Sequence, residues 1–311
     1  MHNISERGIT MKKRSVIMLL SLALLGAFSV NAAAEEETGE MTEAAAETEA
    51  QEEVSMVQGS YSVKSEEATV SYGEKEVYGV LYRPEEDGVY PTVILSHGYN
   101  GTNQDFVNEC EYFASNGIVA YAYDFCGGSV NSKSSGDSTD MTIFTEKEDL
   151  LAVLDYIEGQ EMVDKDHIFL FGGSQGGLVT ALAGAERVDE VEGLIMYFPG
   201  FCIPDDWRNN YATVEEIPET VDFWGLNLGE NFFLSMRDFD PYEVIPAFDK
   251  DVLIVHGDED PIVPLSYSVK AQETYEHAEL VVFPDEGHGF SATRGVEAAE
   301  LALRFMQRKC Q

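Results

Sequence analysis

The hydrophobic and polar residues follow two repeating patterns from Ala68 onward. Short runs rich in Val, Ile and Leu, bounded by Gly or Pro, predict strands that are buried on both faces of a sheet. Longer segments with apolar residues at every third or fourth position predict helices, two of which are closed by Gly117 and Gly159. The two kinds of segment alternate, which predicts βαβ units and a mostly parallel sheet flanked by helices.

The pattern places the elements between Ala68 and Arg308. The predicted strands are Ala68 to Tyr72, Glu76 to Arg83, Thr92 to Ser96, Ile118 to Asp124, Ile168 to Phe171, Val191 to Phe198, Val252 to His256 and Leu280 to Phe283. The predicted helices are Asp105 to Asn116, Phe144 to Glu158, Gln175 to Glu186, Ser266 to Tyr275 and Val296 to Arg308. The first two strands are expected to form a hairpin that turns near Gly73.

One segment interrupts the alternation after the sixth predicted strand. Between Phe198 and Asp251 lie about fifty residues with scattered aromatic side chains. A loop of that length without structure of its own is uncommon in a compact domain. We therefore predict a small inserted cap at about residues 199–248. The alternative is an ordinary long connection that packs on the sheet.

The N-terminal region has the three-part layout of a signal peptide. Lys12, Lys13 and Arg14 precede the apolar run Val16 to Val30, and small residues follow at 31–34. An apolar run of about 15 residues is short for a membrane-spanning helix, which needs about 20. We predict a leader and cleaved signal over residues 1–34, secretion, and no stable membrane anchor after cleavage.

Composition divides the rest of the chain into a spacer and one domain. Residues 35–60 contain nine Glu and no Lys, Arg or aromatic side chain before Tyr61, which predicts a disordered acidic spacer. Residues 61–311 form the predicted single domain, cap included. The formal net charge of the full chain is -38, which argues against binding to nucleic acid or to anionic membranes but does not select a substrate.

The four cysteines do not indicate a metal site. Cys110, Cys126, Cys202 and Cys310 form no C-x-x-C pair and have no histidine at zinc-ligand spacing. Export would permit a disulfide whose pairing the sequence leaves open, and buried or free thiols are an equal alternative. No metal or organic cofactor is implied.

The strongest catalytic motif is Gly172-Gly173-Ser174-Gln175-Gly176, which fits G-x-S-x-G. It lies directly between a predicted strand and a predicted helix, the context in which this motif presents a nucleophilic serine at a tight turn. The helix N-terminus favours negative charge as it develops nearby. Ser174 is therefore the predicted nucleophile, and a glycine-rich turn without chemistry is the alternative.

An unactivated serine needs a base and a group that orients the base, and in this type of fold they follow in the order Ser, acid, His. His288 lies in a turn after the last strand and is the predicted general base. The acid comes from the loop after the preceding strand, where position alone does not separate Asp258, Glu259 and Asp260. His97 precedes the nucleophile, and His256 is predicted to be structural.

The segment His97-Gly98-Tyr99 follows a predicted strand at the place expected for one half of an oxyanion hole. The predicted donors are the backbone N–H groups of Tyr99 and of Gln175, the residue after the nucleophile. Each such donor typically contributes about a hundred- to a thousandfold in rate.

These motifs together resemble the α/β-hydrolase superfamily and, more narrowly, bacterial cinnamoyl and feruloyl esterases. The resemblance covers Val70 to Met306 and includes Ser174-Gln175-Gly176-Gly177, His256-Gly257-Asp258-x-Asp260-x-x-Val263-Pro264 and Gly287-His288. It implies an α/β-hydrolase fold, the role of triad acid for Asp260, and a cap whose aromatic residues receive the substrate's ring. Trp207 and Trp224 are the candidates for that contact. The segment Asp124 to Ser129 departs from the pattern of those esterases.

The expected function is hydrolysis of small-molecule carboxylic esters, of short acyl or aromatic type, through an acyl-enzyme. A serine peptidase or aminopeptidase of the same superfamily is the first alternative, because the same groups can attack amides. A binding protein that retains the fold without the chemistry is the second. Neither the acyl preference nor the oligomeric state follows from the sequence.

Overall fold

The computed structural model describes residues 55–311. The strands are β1 (Val63–Tyr72), β2 (Lys75–Pro84), β3 (Tyr90–Ser96), β4 (Val119–Tyr123), β5 (Val163–Gly173), β6 (Gly193–Tyr197), β7 (Thr220–Phe223), β8 (Leu226–Gly229), β9 (Asp251–Gly257) and β10 (Ala278–Phe283). The α-helices are α1 (Val107–Ser115), α2 (Ile143–Glu158), α3 (Gln175–Glu186), α4 (Ile203–Asn210), α5 (Glu230–Ser235), α6 (Leu265–Thr274) and α7 (Ala292–Lys309). The predicted signal peptide and residues 35–54 of the predicted spacer lie outside the described residues.

Eight strands form one sheet in the order β1-β2-β4-β3-β5-β6-β9-β10. The pairs β1–β2 and β2–β4 are antiparallel, and every other neighbouring pair is parallel. All five residues of β4 and all five of β6 are buried, as the short apolar runs predicted. The prediction of a mostly parallel sheet flanked by helices is confirmed.

The sheet has a hydrophobic core on each face because successive side chains of a strand point to opposite sides. Ile94 packs into the core that contains Leu150 of α2 and Leu178 of α3. Its neighbour Val93 packs into the other core, which contains Phe113 of α1 and residues of α7. Both strand residues have no solvent-exposed surface, so the sheet forms a rigid platform for the loops at its edge.

The inserted segment after β6 is a small cap, as predicted. It contains α4, the antiparallel hairpin β7–β8 and α5. Its own core is aromatic: Trp207 stacks on Tyr211 at a centroid distance of 6.1 Å and meets Phe223, Phe232 and Phe233 edge to face. The hairpin was not predicted, because four-residue strands carry too few positions to show a period of two.

The start of the described region docks onto the domain earlier than the predicted boundary at residue 61. The Gly59 amide donates to Ser115 Oγ at 2.9 Å, and Met56 packs against the core beside α1 and α7. These residues were assigned to the spacer because they include no Lys, Arg or aromatic side chain. The packing of Met56 and the hydrogen bond of the Gly59 amide nevertheless hold them on the domain. Within residues 55–311 no helix has both the length and the apolar character needed to cross a membrane. All four cysteines are free thiols.

Candidate active site

Ser174 occupies a strained turn between β5 and α3. Its φ is +52° and its ψ is -121°, a backbone conformation that is unusual for a residue with a side chain. The turn depends on its glycines, since a Cβ at Gly172 would lie 2.2 Å from Gly176 O and a Cβ at Gly176 would lie 2.2 Å from Ser96 O. The close packing holds the Ser174 hydroxyl at the carboxyl edge of the sheet.

His288 connects Ser174 to a buried carboxylate. Its Nε2 lies 3.0 Å from Ser174 Oγ, and its Nδ1 lies 2.7 Å from Asp260 Oδ2. The second oxygen, Asp260 Oδ1, accepts the amides of Ile262 at 2.8 Å and Val263 at 2.9 Å. Burial alone would raise the pKa of Asp260, but hydrogen bonds with His256 and His288 hold that pKa below its usual value.

Of the three acidic candidates, only Asp260 contacts His288. Asp258 and Glu259 are exposed, and Asp258 Oδ1 accepts the Asp285 amide at 2.8 Å. Asp258 therefore ties together the two loops that follow β9 and β10, whereas Asp260 reaches the imidazole. The residue spacing could not distinguish the two, because both lie in the same short loop.

Two further histidines, His97 and His256, are buried and have partners of their own. His97 Nε2 accepts the Phe125 amide at 3.1 Å, which makes His97 neutral, and burial lowers its pKa further. His256 Nε2 lies 2.9 Å from Val263 O and 3.3 Å from Asp260 Oδ2, while its Nδ1 lies 2.7 Å from Ser268 Oγ. Because two acceptors face Nε2, that nitrogen carries the ring proton of His256. The N–H of this ring therefore points at Asp260 Oδ2, the same oxygen that His288 contacts.

The two loops predicted to supply oxyanion donors meet at Ser174. Gln175 is the first residue of α3, so its amide has no acceptor within the helix. Gly98, which precedes Tyr99, lies so close to the nucleophile that a Cβ there would be 3.2 Å from Ser174 Cβ. The Tyr99 hydroxyl donates to Phe223 O at 2.7 Å, so the loop is also tied to the cap hairpin.

Behind Gln175 lies a buried glutamate that the sequence analysis missed. Gln175 Nε2 donates to the two carboxyl oxygens of Glu146 at 2.8 and 3.0 Å, and Glu146 has no exposed surface. Burial raises the pKa of Glu146 to about 8. A signal was present, because Glu146 and Asp149 lie on the apolar face of α2 at helical spacing with Leu150.

The raised pKa of Glu146 predicts a loss of stability at alkaline pH. The folded state retains this proton after the unfolded chain has lost it, so the unfolding free energy falls as pH rises from the ordinary glutamate pKa through about 8. One pKa unit corresponds to about 1.4 kcal/mol. Between pH 5 and 9, the free energy of unfolding of the native chain is expected to fall by roughly 4 kcal/mol relative to that of Glu146→Gln, as measured by urea unfolding at each pH. Glu148→Gln, on the exposed face of α2, should show no such difference from the native chain.

A cavity of about 350 Å³ opens at Ser174 and His288. Tyr99 and Trp224 line it from the side of the cap, and Trp224 is 53% exposed at the tip of the hairpin. Trp207, the other candidate for ring binding, does not line this cavity but lies inside the aromatic core of the cap. The sequence could not separate them, because both are tryptophans in the same inserted segment.

Comparison with known proteins agrees with this architecture. The family model of the prolyl oligopeptidase family matches residues 104–311. The solved structure of Est1E from Butyrivibrio proteoclasticus with ferulic acid bound is similar, with 28% identity and a TM-score of 0.71 over 78% of this chain and 99% of that one. The GrgF α/β hydrolase from Penicillium sp. sh18, 18% identical with a TM-score of 0.67 over 80% of this chain and 99% of that one, shares the fold.

Two uncharacterised bacterial proteins also match in sequence. YqkD of Bacillus subtilis is 26% identical over 214 residues, which are 65% of this chain and 66% of YqkD. YcjY of Escherichia coli is 26% identical over 146 residues, 45% of this chain and 47% of YcjY. The matches thus span just under two thirds and about half of those relatives. Because the family match covers most of the chain, including the segments of Ser174, Asp260 and His288, the chain belongs to the prolyl oligopeptidase family and has the α/β-hydrolase fold.

Proposed function

We propose that this α/β hydrolase cleaves carboxylic esters of small molecules by nucleophilic catalysis. The observation that carries the proposal is the position of His288, with one ring nitrogen 3.0 Å from Ser174 Oγ and the other 2.7 Å from Asp260 Oδ2. This arrangement matches the geometry in which an imidazole activates a serine hydroxyl and a buried carboxylate fixes the ring.

In the proposed reaction, Ser174 Oγ attacks the ester carbonyl carbon while His288 Nε2 takes the hydroxyl proton. Asp260 stabilises the imidazolium, and the amides of Tyr99 and Gln175 donate to the oxyanion. The tetrahedral intermediate expels the alcohol, which receives the proton from His288. Water then attacks the acyl-enzyme with His288 as base, and the acid leaves as Ser174 regains its proton.

The size and lining of the cavity support small acyl or aromatic groups. About 350 Å³ lies at the low end of the range for small-molecule pockets. Phe198 and Phe290 form an apolar part of its wall, with ring centroids 4.9 Å apart. Est1E, whose solved structure has ferulic acid bound, is similar over 78% of this chain and 99% of its own, which supports an ester of aromatic or short acyl type.

A second candidate function is peptide hydrolysis, which the match to the prolyl oligopeptidase family favours. The test is a parallel assay of the full chain on p-nitrophenyl acetate, ethyl ferulate and aminoacyl p-nitroanilides. We expect turnover of the acetate ester and, if the aromatic wall receives a ring, of the ferulate ester as well. Turnover of the anilides without either ester would replace the esterase proposal with the peptidase.

A further inference from the structure

The loop that carries the Tyr99 amide has little to hold it apart from two side chains. Gly98 and Gly101 enclose Tyr99 and Asn100, and Asn100 has a φ of +55°. The Gly98 carbonyl accepts the Gly101 amide at 3.1 Å and lies 2.7 Å from His97 Nδ1, which orients the peptide between Gly98 and Tyr99. Because glycines leave the chain on either side free to move, the position of this peptide depends on the side chains of Tyr99 and Asn100.

Both side chains bond to the turn of the cap hairpin. The Tyr99 hydroxyl donates to Phe223 O at 2.7 Å and lies 3.5 Å from Leu226 O. Asn100 Nδ2 donates to Trp224 O at 3.3 Å. The rings of Tyr99 and Phe223 also meet edge to face, with centroids 5.3 Å apart. Burial raises the pKa of Tyr99, so its hydroxyl keeps its proton and remains a donor.

The hairpin turn is a fixed support for this loop. Its two central residues, Trp224 and Gly225, have φ values of +46° and +82°, the left-handed pair that closes a tight two-residue hairpin. Leu226 and Leu228 of β8 are 2% and 0% exposed, so the strand that follows the turn is anchored in the core. The hydrogen bond of the Tyr99 hydroxyl therefore joins the loop to a part of the cap that is itself held in place.

We propose that the Tyr99 hydroxyl is a positioning group for the oxyanion hole. By bonding to the hairpin turn, it holds the backbone amide of the same residue where the oxyanion forms. The inference rests on the proposed ester hydrolysis and gives the cap a role in the chemical step, in addition to any contact with the substrate. A displaced donor loses stabilisation of the transition state while the ester still binds, so the effect belongs in kcat rather than in KM.

The first test is Tyr99→Phe, which keeps the amide and the ring and removes only the hydroxyl. We expect kcat and kcat/KM to fall about tenfold with KM within about twofold of the native value, a smaller loss than removal of a whole donor causes. Because every ester forms an oxyanion, the factor should be the same for p-nitrophenyl acetate and for the largest ester that the native chain hydrolyses. A kcat within twofold of the native value would overturn the inference. A loss confined to KM of the larger ester would make the hydroxyl a substrate contact instead.

Tyr242→Phe is the matched control. The Tyr242 hydroxyl also donates to a backbone carbonyl, that of Tyr267 at 2.8 Å, and the residue does not line the cavity at Ser174. Thermal unfolding should show a similar small decrease in Tm for Tyr99→Phe and Tyr242→Phe, whereas kcat should fall only in Tyr99→Phe. Equal losses of kcat in the two variants would mean that a weakened fold lowers the rate, and would contradict a positioning role.

A second readout is the affinity for 1,1,1-trifluoro-4-phenylbutan-2-one, a ketone that imitates the tetrahedral intermediate. Ser174 Oγ adds to its carbonyl carbon, the serine proton passes to His288, and the carbonyl oxygen becomes the oxyanion. In Tyr99→Phe, the inhibition constant should rise by the same factor by which kcat/KM falls, because both depend on the oxyanion hole. An inhibition constant that is unchanged while kcat/KM falls would overturn the inference.

Asn100→Gly removes the second bond to the hairpin and can adopt the φ of +55° without strain. It should lower kcat/KM about threefold and weaken the ketone by the same factor, the scale of one hydrogen bond. If neither Tyr99→Phe nor Asn100→Gly changes kcat, the cap does not position the oxyanion donor, although the native chain remains an esterase. A native chain that hydrolyses no ester would instead overturn the proposed function, and this inference with it.

Discussion

Replacement of Ser174 by alanine is expected to abolish ester hydrolysis while the protein remains folded. The hydroxyl that alanine lacks is the atom 3.0 Å from His288 Nε2, and it supports no other element of the fold. A nucleophile and base that act as a unit lose on the order of 10⁵- to 10⁶-fold in kcat when either is removed. The same loss is therefore expected for His288→Ala, and the double variant should be no slower than either single one.

The measurement is kcat on whichever ester of the panel is turned over best, together with labelling by a fluorophosphonate probe. The native chain should label at Ser174, and Ser174→Ala should not. His277→Ala is the matched control, because His277 lies just before β10 with 53% of its side chain exposed and should retain full activity. Labelling that persists in Ser174→Ala, or losses that add in the double variant, would remove Ser174 and His288 from the proposed mechanism.

The parallel sheet was predictable from the sequence because each buried strand has a recognisable local pattern of apolar residues. Val119 to Tyr123 is apolar at every position, and the helices on either side have three- and four-residue periods of their own. The contact of His288 with Ser174 followed from chain order alone, since loops that leave parallel strands at the carboxyl edge meet there. The local sequence pattern was therefore sufficient to predict the sheet, and the topology was sufficient to predict this contact.

The residues that were not predicted depend on contacts between distant segments. Glu146 and Gln175 are 29 positions apart, and nothing near Glu146 in the sequence indicates that its partner is an amide beside the nucleophile. Trp207 and Trp224 differ only in where the cap folds them, one into its core and the other over the cavity. Tyr197 was predicted only as part of a buried strand, and the lack of a hydrogen-bond partner for its hydroxyl among residues 55–311 is evident only in three dimensions.

Asp260→Asn is expected to lower kcat on the order of 10⁴-fold, the loss that the wrong imidazole tautomer causes in a serine protease with the same three groups. The amides of Ile262 and Val263 donate to Oδ1, so the oxygen of asparagine must take that place. Its NH₂ group then stands where Oδ2 was, 2.7 Å from His288 Nδ1 and facing the protonated Nε2 of His256. His288 can only accept from that group, which places its own proton on Nε2, where it cannot receive the proton of Ser174.

Asp258→Asn is the matched control for this substitution, since it makes the same chemical change two residues away. Its side-chain oxygen can still accept the Asp285 amide, so kcat should fall by less than about threefold, the scale of one weakened hydrogen bond. Both variants are compared by kcat, by the rate of fluorophosphonate labelling and by thermal unfolding. If kcat falls only in Asp260→Asn and that variant remains folded, Asp260 is the residue that fixes the tautomer of His288. A larger loss in Asp258→Asn would transfer that role to Asp258 and would mean that the contact at 2.7 Å is not the one that catalysis uses.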